Sequence, residues 1–193
     1  MNNANYNFVV SECTFLRYFM PIINELVNND IGHNINIFLG DSKKYNSPLL
    51  KDNLDFIKES SNIFGSQCIV CSIDVKFVDN EYKVFNKAKG ILDIDPLELA
   101  LKYEKYGAGE ILLTAIDHEG STKGYDIELI KKFNHKLGIP VILNGGMGKP
   151  EDAVEAINNG ADAVAAAYIF HFSQYTPDDI KNELASNNIA VRL

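Results

Sequence analysis

The sequence predicts an α/β fold built on a parallel sheet, and three features support that prediction. Short apolar runs alternate with amphipathic segments along most of the 193 residues. Glycine-containing turns precede two of these runs, at Gly107 and Gly160. Three runs end in polar residues, at Asp74, Asp117 and Asn144. Because parallel strands place their carboxyl ends on one edge of a sheet, these residues predict one wall of a ligand site.

The first 48 residues predict a βαβ segment whose origin differs from that of residues 49–193. Thr14 is a suitable N-cap for the helix, and the polar stretch 42–48 is the expected boundary. The segment resembles the opening of a flavodoxin-like or Rossmann-like domain, and we expect both parts to form one folded unit. Its predicted strand, helix and strand occupy 8–12, 15–27 and 35–39.

From residue 49 onward, helices and strands alternate regularly, and a small hairpin is predicted within 76–90 because Tyr82 and Val84 alternate with charged residues. Predicted helices occupy 51–64, 95–106, 126–137, 150–159 and 177–186. Predicted strands occupy 68–73, 110–116, 141–143 and 163–166. With the N-terminal pair, the count is six strands, too few to close an eight-unit barrel. We therefore expect the four C-terminal βα units either to flatten into an open, doubly wound sheet or to pair with a second chain. An unpaired apolar edge favours a homodimer.

Composition limits the classes of function. The net charge of −8 argues against binding nucleic acid, whose phosphates require clustered basic side chains. No apolar run approaches the roughly 18 residues that span a membrane, and the N-terminus lacks a signal pattern. Cys13, Cys68 and Cys71 lack metal-ligand spacing and are interpreted as small buried hydrophobes. We expect a cytoplasmic protein without a metal or cofactor.

A series of short motifs, in a fixed order, resembles one enzyme family over residues 54–193. The motifs are Phe64–Gln67, Ser72–Lys76, Gly107–Thr114, Ile116–Gly120, Gly124–Asp126, Gly145–Gly146, Gly160–Asp162 and Phe170–Phe172. They are similar to the second half of the cyclase subunit of imidazole glycerol phosphate synthase, from histidine biosynthesis. A related branch of that family serves surface-sugar pathways that make amidino sugars.

The resemblance implies a fold and a reaction. The family forms an eight-unit barrel of two similar halves. Its enzymes take ammonia from a glutamine amidotransferase and act on a doubly phosphorylated ribulosyl substrate, from which they close an imidazole ring. Two aspartates act as general base and acid, and glycine turns hold a substrate phosphate.

Residue by residue, the resemblance makes Asp74 the second catalytic aspartate, and Gly145 and Gly146 the first phosphate turn. Glu110 matches a glutamate on the ammonia entry side. Alternatives remain for several positions: Asp74 could instead cap a helix or bridge loops, although the resemblance favours a site role, and Asp117 could equally cap the turn at Gly120. The full set of expected substrate or phosphate contacts is Thr114, Asp117, Glu119, Asn144, Gly145, Gly146 and Tyr168.

The sequence also departs from the family. The expected first strand and its base aspartate have no match, so Glu12 and Asp41, at the ends of the first two predicted strands, are candidate replacements. Glu119 stands where the family has Asp, and Asn144 replaces a small Ser. Tyr168 lies near a position where a small Ser cups phosphate, so its phenol is expected to narrow or fill that pocket.

Two functions follow. The first is a cyclase-like lyase that uses Asp74 as acid and holds phosphate at Gly145 and Gly146. The second is a catalytically inactive phosphate-binding or assembly protein that needs a partner half-barrel. The expected partners are a phosphorylated small molecule, a glutamine amidotransferase subunit, and either a second copy of this chain or a separate half-barrel.

Overall fold

The computed structural model describes residues 5–10, 34–39, 54–87 and 89–191. Its strands are β1 (Asn5–Val10), β2 (Asn34–Leu39), β3 (Ile69–Val78), β4 (Glu81–Asn86), β5 (Gly90–Ile91), β6 (Glu110–Ala115), β7 (Val141–Asn144) and β8 (Ala163–Ala165). Its helices are α1 (Leu54–Phe64), α2 (Pro96–Lys105), α3 (Ile127–Phe133), α4 (Pro150–Asn158), α5 (Tyr168–Phe172) and α6 (Pro177–Ser186), and a short 3₁₀ turn spans Ser66–Cys68.

Six of these strands form one sheet in the order β1-β2-β3-β6-β7-β8, and every neighbouring pair along this path is parallel. The α/β prediction is therefore confirmed. The predicted hairpin is present too: β4 runs antiparallel to the end of β3 and to β5. The predicted helix at 15–27 and the boundary at 42–48 lie outside the described residues.

The core lies on one face of the sheet. Ile73, Leu113 and Leu143 are buried in one cluster with helix residues, whereas Asp74, Leu112 and Asn144 on the other face of the strands are partly exposed. Helices α1, α2, α3, α4 and α6 all contribute to this one apolar cluster. A doubly wound sheet would carry helices on both faces, whereas the described helices cover only one, as in half of a barrel.

Local sequence explains where the helices begin. Asp95 caps α2 by accepting hydrogen bonds from the backbone N–H groups of Leu97 and Glu98, at 2.8 and 3.0 Å. Asp126 and Thr176 cap α3 and α6 in the same way. The chain within the described ranges contains no helix long and apolar enough to cross a bilayer.

Three elements differ from the prediction. Helix α3 ends at Phe133 rather than 137, because Asn134 leaves helical geometry and His135 takes a φ of +56°. Strand β3 extends to Val78 instead of ending at 73, because its last residues pair with β4. Helix α5 was not predicted, since five residues are too few to show helical periodicity.

Gly109 allows β6 to enter the sheet beside the 3₁₀ turn. A Cβ atom at this position would collide with the backbone carbonyl oxygen of Ser66. The Gly109 N–H also donates to the Ile69 carbonyl oxygen at 2.8 Å, so the backbone cannot withdraw without loss of this bond. Strand β6 carries two of the candidate site residues, Glu110 and Thr114, and their position therefore depends on this contact.

We predict that Gly109→Ala lowers the free energy of unfolding by about 3 kcal/mol, as expected for a rigid backbone collision. Urea denaturation followed by circular dichroism measures this loss. Gly90→Ala is the matched control: a Cβ atom there meets nothing within 4 Å, and its φ of +82° costs about 1 kcal/mol. Equal losses in the two variants would contradict the assigned contact.

Candidate active site

A row of residues crosses the sheet near its carboxyl edge. The parallel register pairs Asp74 with Thr114, Thr114 with Asn144, and Asn144 with Ala165. Because laterally paired residues in a sheet project to the same face, these four side chains share the face opposite the helices. The row thus brings together Asp74, Thr114 and Asn144, three residues that are separated by 30 to 40 positions in sequence.

The sequence predicts that Asp74 follows the end of its strand, at residue 73, but the structure differs. Asp74 lies inside β3 rather than after it, because the strand continues as the hairpin. The parallel pairing with β6 does end nearby, at Val75 and Ala115. Asp74 is therefore held one residue before the end of the parallel ladder and is partly exposed. A rigid strand holds its carboxylate, as a proton-transfer group requires.

Thr114 and Asn144 are joined by their side chains. The Asn144 amide Nδ2 donates to the Thr114 hydroxyl oxygen at 3.2 Å, and Thr114 is 6% exposed. This bond fixes the rotation of the Asn144 side chain on the face of the sheet opposite the described helices. Thr114 thus positions Asn144 and is not itself part of the pocket described below.

The turn after β7 approaches its neighbours closely. Gly145 and Gly146 have φ values of +100° and +109°, a region in which only glycine is unstrained. A Cβ atom on Gly145 would lie 2.8 Å from the Ala115 carbonyl oxygen, and one on Gly146 would collide with the Gly124 carbonyl oxygen. Backbone N–H groups at a glycine turn of this kind are suited to bind an anion.

The loop between β6 and α3 supports the glycine turn. The Gly124 N–H donates to the Gly146 carbonyl oxygen at 2.9 Å, and the His118 Nδ1 atom lies 2.9 Å from the Gly124 carbonyl oxygen. The Tyr125 hydroxyl donates to the Ala165 carbonyl oxygen, also at 2.9 Å. Burial raises the pKa of this phenol, so it stays protonated and remains a donor. The loop thereby connects the ends of β7 and β8.

The hairpin fixes the other side of the same loop. The Tyr82 hydroxyl donates to the Asp126 carboxylate at 2.8 Å, and burial together with this carboxylate raises the pKa of Tyr82. At the hairpin base, Asp117 accepts a hydrogen bond from the Phe77 N–H at 3.0 Å and lies 3.7 Å from the Lys76 ammonium. The Asp117 carboxylate is thus engaged by the hairpin.

A pocket of about 300 Å³ opens beside the row of polar residues. One wall consists of the glycine turn and the other of the segment from the end of β8 through α5. The residues that line it are Glu119, Gly120, Asn144, Gly145, Gly146, Met147, Ala165, Ala166, Ala167, Tyr168, His171 and Phe172. Five of the expected contacts, Glu119, Asn144, Gly145, Gly146 and Tyr168, are therefore brought together.

Other expected site residues lie elsewhere. Glu110 is at the amino end of β6, four residues before Thr114, which is about 13 Å along an extended strand. Partial burial raises the pKa of its carboxyl group. Glu12 and Asp41 lie outside the described residues. Within the described ranges, no group of three or more His, Cys, Asp or Glu side chains could hold a metal ion.

Seven pocket residues were not among the expected contacts, and Met147, His171 and Phe172 have the largest side chains of these. His171 lies in α5 and is exposed at the pocket. The repeated aromatic residues of 168–172 were the available sequence signal for this part of the pocket. Only the helix shows that Tyr168, His171 and Phe172 line the same pocket as Gly145 and Gly146.

Comparison with known proteins agrees with this geometry. The family model described as "Histidine biosynthesis protein" matches residues 44–176. The chain is 59% identical, over 153 residues, to a protein named putative imidazole glycerol phosphate synthase subunit hisF2 from Campylobacter jejuni subsp. jejuni. It is 44% identical, over 155 residues, to imidazole glycerol phosphate synthase subunit HisF from two strains of Dehalococcoides mccartyi.

Each of these alignments covers 79% of this chain and 61% of the relative. The chain therefore spans less than two thirds of the length of these relatives. The matched region contains β3 through β8, the glycine turn and the pocket. This match, together with the parallel βα units, shows that the chain belongs to the histidine biosynthesis protein family, whose fold is the TIM barrel.

Proposed function

We propose that this chain is a cyclase-like lyase of the imidazole glycerol phosphate synthase type, which acts on a doubly phosphorylated ribulosyl substrate with ammonia and uses Asp74 as acid and the glycine turn as phosphate site. The observation that carries this proposal is the juxtaposition of Asp74 with the glycine turn. Asn144 belongs both to the row that contains Asp74 and to the wall of the pocket. A proton donor and an anion site thus occupy one edge of the sheet, as ring closure on a phosphorylated substrate requires.

The phosphate would bind at the turn. Gly145 and Gly146 offer backbone N–H groups, which bind an anion without adding positive charge, and this is consistent with the net charge of −8. Because neither residue has a side chain, an anion can approach this backbone closely. Asn144 adds an amide side chain whose orientation is fixed by Thr114.

The acid would be Asp74. Its position in a parallel ladder, on the same face as Thr114 and Asn144, holds the carboxyl group at a fixed distance from the phosphate site. From there it would donate a proton to the leaving oxygen or nitrogen during ring closure. Ammonia would come from a glutamine amidotransferase subunit and enter from the opposite end of the strands, where Glu110 lies. We place this reaction in the cytoplasm.

A second function is favoured by the face of the sheet that the described helices leave uncovered. Leu112 and Ile142 are partly exposed there, beside the row, while the described helices lie on the other face. Such a face suits an assembly protein that binds phosphate and pairs with a partner half-barrel or with a second copy of this chain. This function predicts phosphate binding without turnover.

We predict that Asp74→Asn lowers turnover about 100-fold or more, because general acid catalysis contributes on this order. The assay supplies ammonium and the doubly phosphorylated ribulosyl substrate and measures release of the aminoimidazole carboxamide ribotide. Asp79→Asn, in the exposed turn of the hairpin, is the matched control and should keep the wild-type rate. Binding of substrate by the wild-type chain without turnover would contradict the cyclase proposal and favour the assembly function.

We predict that Asn144→Asp weakens phosphate binding about tenfold or more, since it places a negative charge in the pocket at constant side-chain size. Titration calorimetry with inorganic phosphate measures the affinity. Asn80→Asp adds the same charge in the exposed hairpin turn and should change little. If both variants bind phosphate with equal affinity, the assignment of an anion site to the glycine turn is refuted.

We predict that Glu110→Gln increasingly stabilises the protein, relative to wild type, as pH rises. Because burial raises the folded-state pKa of Glu110, the folded protein binds its proton more tightly than the unfolded chain. The stability this group provides is fully present below the unfolded pKa and is lost as pH rises through the folded pKa. Urea unfolding of both proteins across this window measures the difference, and parallel pH curves would contradict the assigned shift.

A further inference from the structure

Two aromatic rings face the glycine turn across the pocket. Helix α5 follows β8 directly and carries Tyr168 and Phe172 one helical turn apart, so that both line the same cavity as Gly145 and Gly146. Their ring centroids are 4.5 Å apart with an angle of 32° between planes, so the two rings stack on each other. The second wall of the pocket therefore includes a stacked aromatic pair, in which one ring backs the other, beside the residues 165–167.

These rings are held in place but not buried. Tyr168 is 42% exposed and Phe172 is 73% exposed, whereas Ile169 between them is 1% exposed and anchors the helix in the core. The Ser173 hydroxyl donates to the Ile169 carbonyl oxygen and closes the helix end. An exposed pair of large aromatic side chains costs hydrophobic free energy unless something covers it, and such surfaces mark binding sites.

The size of the pocket indicates a ligand larger than phosphate. A cavity of about 300 Å³ falls in the range that holds small organic ligands, with room beyond one anion. Glu119 stands exposed on its rim. Its carboxylate can accept a hydrogen bond from a hydroxyl or amino group, but it would repel a second phosphate placed there. The part of the ligand next to the phosphate is therefore uncharged and carries hydrogen-bond donors.

We propose that Tyr168 and Phe172 form a stacking subsite for the ring of a phosphomonoester whose phosphate binds at Gly145 and Gly146. This inference rests on the proposed phosphate site and adds a ring-binding wall to it. A ribonucleotide and a pyranose phosphate share the required chemistry, since each joins a phosphate to a ring with a flat face and polar substituents. Tyr168 and Phe172 then determine which phosphorylated compounds bind.

The experiment compares dissociation constants by titration calorimetry for three probes. Inosine 5′-monophosphate and glucose 6-phosphate carry rings, and glycerol 3-phosphate does not. In the wild-type chain, at least one ring-bearing probe should bind about tenfold more tightly than glycerol 3-phosphate, the gain that one stacked ring provides. A larger gain in affinity for inosine 5′-monophosphate identifies the ring as heteroaromatic, and a larger gain for glucose 6-phosphate identifies it as a pyranose.

The matched variants are Phe172→Leu and Tyr168→Leu, which keep an apolar side chain but remove the flat face. In both, the ratio of ring-bearing to ring-free affinity should fall to about one. Tyr175→Leu is the control, because Tyr175 is similarly exposed, at 41%, and does not line the pocket. Its ratio should stay at the wild-type value. Circular dichroism checks that each variant is folded.

Three results would overturn the stacking subsite. One is a wild-type ratio near one for both ring-bearing probes, and another is a ratio that Phe172→Leu and Tyr168→Leu leave unchanged. In either case, tight binding of glycerol 3-phosphate would leave the proposed phosphate site intact. The third result is no binding of any probe, which would refute the phosphate site and the stacking subsite together.

Discussion

The in-register parallel pairing of β3, β6, β7 and β8 is the constraint on which the candidate site depends. Each ladder aligns one residue with one neighbour, so Asp74, Thr114 and Asn144 come to lie side by side without any direct sequence relation. If one strand shifted by one residue relative to its neighbour, its polar side chain would lie in the helix-covered core. Its apolar neighbour would then lie on the opposite face of the sheet. The buried face specifies the register, because Ile73, Leu113 and Leu143 must all pack against the helices.

The loop from 116 to 126 then connects this row of residues to the pocket. Gly124 holds the glycine turn through one backbone hydrogen bond, and Tyr125 holds the end of β8 through its phenol. Asp126 begins α3 and also receives the Tyr82 hydroxyl from the hairpin. The loop is therefore fixed from three directions, so its bonds set the spacing between the two pocket walls. This preorganisation is what an anion site built from backbone amides needs, since amides cannot extend toward a ligand as a long side chain can.

The same architecture explains why two functions fit one structure. Phosphate binding uses a single turn and its immediate neighbours, and all of these lie within the described residues. Ring closure also needs a base and a covered reaction space, and none of the described helices covers the face that carries Asp74. The phosphate site can thus act within the described part of the fold, whereas catalysis depends on what covers that face. For this reason, a measurement of phosphate affinity tests the phosphate site and a separate measurement of turnover tests catalysis.

The sequence by itself determined the α/β class, the alternation of elements, the hairpin and five of the residues that line the pocket. It could do so because strand burial, helix caps and glycine turns are local patterns, as Asp95 and Gly145 illustrate. Tertiary structure alone decided that β3 continues past Asp74, that Asp117 is engaged by the hairpin, and that Phe172 and His171 line the pocket. The continuation of β3 depends on its pairing with β4, while the other two outcomes depend on partners 25 or more residues away. No local pattern records which distant segment a side chain will meet.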